Sequence, residues 1–115
     1  MRISPNHARI VGKIIRIHPE LSEREDHPSS LVPYMADVRI EELMGTGMAF
    51  PGSISEGKTI TVKFTFTLSP TKDLFPELKD HLPGLKVNDS FQADMMGTDS
   101  RSGGVDYTID GYIKK

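Results

Sequence analysis

Ahead of Glu20 the chain carries Arg2, Arg9, Lys13 and Arg16 and not one acid. Cations gathered without carboxylates suit the holding of phosphate oxygens, because each neutralised phosphate releases a condensed counterion. Arg39, Lys63 and Arg101 could extend such a track if the fold brings them beside it. The attraction would have to be local. Fourteen lysines and arginines against 16 acids leave a net charge of −2, too little for a global field that draws a chain onto nucleic acid or an anionic membrane.

Other chemistry has less to build on. The histidines at 7, 18, 27 and 81 fall in no H-x-x-x-H or H-E-x-x-H arrangement. His18 and His27 with Glu20, Glu23, Glu25 and Asp26 could hold a divalent ion, yet charge clustered in a loop is ordinarily just solvated. There is no cysteine, which removes disulfides, thiolate metal sites and thiol nucleophiles. Gly45-Thr46-Gly47 and Pro51-Gly52 lack the lysine and following helix of a phosphate-binding loop, so they are turn formers. Carboxylates are abundant, but spacing alone assigns no pair to a shared pocket. The expectation is a non-catalytic protein with neither cofactor nor metal.

The elements that must position the cations follow from hydrophobic period. The 115 residues make one domain, 1–115, with an apolar share of 37% that is ample for one core. Strands are predicted over 8–17, 34–43, 57–68, 90–97 and 105–115. The first is mixed, with Val11, Ile15 and Ile17 on one parity, Ile10 and Ile14 on the other, and Gly12 between, which suggests a bulge or glycine kink. The second points Tyr34, Ala36, Val38 and Ile40 inward and Asp37, Arg39 and Glu41 outward. In the third, Ile60, Val62, Phe64, Phe66 and Leu68 face the core, leaving Thr59, Thr61, Lys63, Thr65 and Thr67 as the outer wall. Between the third and fourth strands, Leu74, Leu78 and Leu82 recur every four residues and predict a helix over 73–82, capped by Asp73 and ended by Pro83-Gly84.

The order β-β-β-α-β-β, with a long bendable first strand, resembles the OB-fold, a five-stranded Greek-key barrel. The likeness covers nearly the whole chain and implies an all-β class with the leucine stripe covering one end of the barrel. Within that superfamily, Val11-Gly12-Lys13-Ile14 followed by Pro19-Glu20 is similar to the opening of bacterial single-stranded DNA-binding proteins. Its spacing is one residue longer, with His18 where an aspartate is usual, and the chain has no tryptophan. The resemblance implies single-stranded nucleic acid as ligand, with the loops 18–33 and 96–104 flanking the groove and Arg24, His27 and Arg101 near it. Arg9, Lys13, Arg16, Arg39, Lys63 and Arg101 would carry the phosphates.

Stacking groups are scarce: no aromatic falls on the outer wall of strands two and three, and only Phe50 and Tyr112 are placed away from the core. An alternative partner is another protein, met through the loop 44–57, where Met44, Met48 and Phe50 form an adaptable apolar contact. Against it stands the packing of those three side chains onto the barrel rim. A strand edge could also pair with a second copy, giving a homo-oligomer. No apolar run approaches a membrane span or a signal-peptide core, so the expectation is a soluble, cytoplasmic protein with no membrane partner.

Overall fold

In a computed structural model, the described residues are 3–23, 27–51, 54–78, 81–100 and 103–115, without the side chain of Asp73. The predicted alternations become β1 (His7–His18), β2 (Met35–Thr46), β3 (Thr59–Phe64), β4 (Ser90–Asp99), β5 (Val105–Ile109) and a short β6 (Ile113–Lys114). They pair in the order β1-β2-β3-β5-β4, and β4 returns to β1. That return closes a five-stranded OB-type barrel. Every pairing is antiparallel except β3 with β5, and β6 adds to β4 at Phe91 and Gln92.

Closure depends on β1 pairing along both edges, with β2 over its length and with β4 from His7 to Lys13. A flat strand could not do so. Register shifts at Arg9/Ile10, Val11/Gly12 and Ile14/Arg16 bend β1, as bulges do. Gly12 lies where Val38 and Phe91 cross the strand. A Cβ there would sit 2.6 Å from Val38 Cγ1 and 3.1 Å from Phe91 Cζ. The even residues Ala8, Ile10 and Ile14 face inward with Val38, Ile40, Val62, Phe64, Met95 and Ile109, all essentially without solvent contact. Phe64 meets Phe91 edge-to-face at 5.8 Å, a favoured aromatic geometry at the barrel centre. Ile15, on the other parity, is exposed.

Three local expectations are corrected. First, the third strand stops at Phe64: Thr67 takes φ 65°, donates its N–H to Phe64 O, and is buried. Thr67 is therefore no part of an outer wall, and Phe66 leaves the core to pack on Phe75 at 5.2 Å. Leu68 still reaches the core.

Second, the helix is a single turn, α1 (Thr71–Leu74), preceded by Pro70. Pro76 is responsible, because a proline disfavours helical backbone in the residue before it, and Phe75 sits at φ −133°, ψ 65°. The rest of the connection is pinned by side chains. Thr71 accepts the Leu82 N–H on its Oγ1 at 2.7 Å and donates its own N–H to Leu82 O, which brings Leu82 and buried Leu85 onto the core. Third, β5 ends at Ile109, and the break at Asp110 and Gly111 changes the phase of the chain. Tyr112 consequently points inward, its hydroxyl accepting the Gly84 N–H at 2.8 Å, while Ile113 is exposed. Tyr112 is a core residue, unavailable for stacking.

Candidate functional site

The outer surface of β1, β2 and β3 is ordered by register into three rows. Lys13 lies beside Arg39 and Thr59, Arg16 beside Asp37 and Thr61, and His18 beside Met35 and Lys63. Directly paired positions place Cβ atoms about 4.5–5.5 Å apart, so these side chains share one surface. Alternation explains the facing: Val38, Ile60 and Val62 between them are buried, whereas Arg16, Thr59, Thr61 and Lys63 are exposed and Lys13, Asp37 and Arg39 half-buried. Lys13, Arg16, Arg39 and Lys63, which lie far apart in sequence, are brought together.

Asp37 and Glu41, the outward carboxylates that the sequence places on this surface, are engaged, and Glu20 lies 3.9 Å from His18 Nδ1 at its end. Asp37 Oδ1 meets His18 Nε2 at 2.8 Å and accepts the Thr61 hydroxyl at 2.8 Å. The His18 bond, more than the Thr61 bond and the charges of His18 and Arg16, holds the Asp37 carboxyl below its ordinary range, against the opposing effect of burial. Glu41 lies 3.5 Å from Arg39 Nε. Among the described residues, Lys13, Arg16 and Lys63 make no ion pair, although Asp37 feels the charge of Arg16 across the register, and these three are the cations of the surface open to a phosphate.

Arg9 is not part of that group. It lies toward β4, where its Nε and Nη2 donate to the two oxygens of Asp94 at 2.7 and 3.0 Å. The paired geometry raises the Arg9 pKa and lowers that of Asp94, so the charge is neutralised at its source. Arg101 lies outside the described residues, as do Arg24, Glu25 and Asp26. Among the described residues, no three His, Asp or Glu side chains are grouped to hold a metal ion.

No protein-family model, curated protein or solved structure matches the chain. Its own geometry is what bears on function. No aromatic joins the three rows, but Tyr34 stands at their end, half-buried at the barrel mouth, with its carbonyl accepting the Phe64 N–H at 2.7 Å. The alternation of β2 assigns Tyr34 to the core. Only its position at the first turn out of the strand, behind Pro33, signals otherwise.

In the loop 44–57, Met48 is fully exposed and Met44 about half so. Phe50 instead turns back onto the barrel, stacked on Tyr107 at 6.1 Å and 27°. Gly97 permits that approach, since a Cβ there would lie 2.9 Å from Phe50 Cε1. Beside Met44 runs an open groove of about 670 Å³, bounded by Gln92, Tyr112, Ile113 and the Arg9–Asp94 pair.

Proposed function

We propose that the protein is a non-catalytic binding module whose ligand is single-stranded nucleic acid, held through its phosphates on the outer surface of β1–β3. One observation carries this reading. Lys13, Arg16 and Lys63 occupy adjoining rows, and the two acids that would repel a phosphate, Asp37 and Glu41, already have cationic or hydrogen-bonding partners. Phosphate contacts without stacked bases give modest affinity that falls steeply with salt. Phosphates are common to DNA and RNA, so contacts of this kind suit either. Cytoplasmic residence belongs to the same proposal, and a cysteine-free chain makes no demand for an oxidising compartment. No described helix is long and apolar enough to cross a membrane.

Titration of the full chain with a labelled single-stranded oligonucleotide tests the proposal. Binding that weakens with salt and with Lys13→Glu supports it; no binding at low salt rejects it. A second reading, contact with another protein through the loop 44–57, is favoured by the full exposure of Met48 next to half-exposed Met44. For self-association, native mass should fall on Met48→Asp, and a monomer before and after removes that form of it.

A further inference from the structure

At the barrel mouth, beyond the row that ends in Lys63, lies a second cavity of about 320 Å³. That volume is at the lower end for small-molecule sites, roughly 300 Å³ and upward. Its walls come from separate parts of the chain. Tyr34 stands at the entry to β2, Lys63 and Thr65 at the end of β3, Thr108 on β5, and His27 and Ser29 at the turn before β2. The parallel pairing of β3 with β5 sets Lys63 directly beside Thr108. Closure of the barrel thus gathers one ammonium group and several hydroxyls around a single space.

The hydrogen bonds within the walls decide which groups remain to serve a ligand. Thr65 already donates its hydroxyl to Asp110 at 2.6 Å. His27 Nδ1 accepts the Ser29 N–H at 3.1 Å and lies 2.9 Å from Ser29 Oγ, which selects the tautomer with hydrogen on Nε2. The Tyr34 and Thr108 hydroxyls and the Lys63 ammonium make no hydrogen bond or ion pair among the described residues. No carboxylate lines the cavity among those residues; Asp110 stands just behind Thr65, where a bound anion would feel it.

We infer that this cavity binds a phosphomonoester group, with Lys63 as counter-charge and the Tyr34 and Thr108 hydroxyls as donors. A monoester presents three terminal oxygens and a charge of about −1.5 to −2, which one ammonium and two hydroxyls on different walls can address together. A mid-strand phosphodiester has one charge and two free oxygens and satisfies the same donors less well. The group can come from a phosphorylated strand end lying over β1–β3 or from a free mononucleotide. Lys63 belongs to both the cavity and the outer surface, whereas Lys13 and Arg16 do not line the cavity, so a change at either of those two alters the outer surface alone.

The experiment follows backbone amides of the full chain by NMR during titration with inorganic phosphate, with a nucleoside 5′-monophosphate, and with the unphosphorylated nucleoside. Saturable shifts at Ser29, Lys63, Thr65 and Thr108 are expected with the first two and not with the nucleoside. Tyr34→Phe combined with Thr108→Val should weaken binding by about tenfold or more, as two hydrogen bonds to a charged group are lost. Thr108→Ser, which keeps the hydroxyl, should bind as the parent does, and an unchanged spectrum elsewhere verifies the fold of each variant. Tighter binding of a 5′-phosphorylated than a 5′-hydroxyl oligonucleotide identifies a strand end as the source; equal binding with retained mononucleotide shifts identifies the free nucleotide. Absence of saturable shifts with phosphate and mononucleotide, or parent-like binding by the double variant, overturns the inference. Lys13→Gln separates the two sites: it should weaken oligonucleotide binding and leave the phosphate shifts unchanged.

Discussion

Replacing Lys13 by Gln removes one of three cations open to a phosphate on the outer surface of β1–β3 and leaves the barrel-mouth cavity intact. For single strands the logarithm of affinity falls with the logarithm of salt by about 0.7 per neutralised phosphate. Lys13, Arg16 and Lys63 therefore give a slope of about −2, an affinity loss of about 20-fold between about 50 and about 200 mM salt. Arg39 is left out of that sum because Glu41 lies 3.5 Å from its Nε. Lys13→Gln should reduce the slope to about −1.4 and the loss to about sevenfold. Glu41→Gln should do the reverse, freeing Arg39 and steepening the slope toward about −2.8. Arg9→Gln should leave the slope unchanged, since Asp94 already neutralises that guanidinium through two bonds. Fluorescence anisotropy with a labelled thymidine oligonucleotide at several salt concentrations reads all four proteins. A slope near zero in the parent, or equal reduction by Lys13→Gln and Arg9→Gln, would refute the assignment of phosphate contacts to these rows.

Three further outcomes concern the frame that holds the surface. Gly12→Ala forces a Cβ to within 2.6 Å of buried Val38 Cγ1, and should cost roughly 1–3 kcal/mol in chemical denaturation as an overpacked core does. Tyr112→Phe leaves the Gly84 N–H without its acceptor in a buried site and should cost about 1–3 kcal/mol by the same measurement. Asp37 is held below the ordinary carboxyl value of 3.8 first by its bond to His18, so its contribution to stability is present above that pH and lost as pH falls through the lower folded value. The stability gap between the parent and Asp37→Asn should therefore be open near about pH 5 and close in stronger acid. A gap that widens in acid would reverse the assigned sign.

Much of the frame is legible in local sequence because side chains of a strand alternate with period two. Ile60, Val62 and Phe64 against Thr59, Thr61 and Lys63 reads unambiguously, and so does Phe91, Ala93 and Met95 on the fourth strand. Gly12 marks the bend of the first strand. The same rule overruns at strand ends: nothing in the alternation TFTL announces that Thr67 adopts a positive φ, or that Phe66 is diverted to Phe75. The leucine repeat after the third strand is real as partial burial at Leu82, yet the helical period fails because Pro76 stops the helix after one turn.

Within the strands, though not at their ends, sequence by itself determined which side chains point out of the barrel and the order in which the strands arise, because both depend on backbone geometry between residues two to four apart. Only tertiary structure decided which outward charges are neighbours. Arg9 finds Asp94 85 positions away, and Lys13 finds Arg39 through a register set by bulges and by contacts of the core. Cations that look equivalent along the chain were thereby divided into a neutralised pair and a group open to a phosphate. Tyr34, assigned inward by its parity, stands instead at an open mouth beside Lys63, because β2 begins one residue beyond it and the buried core of that strand only at Ala36.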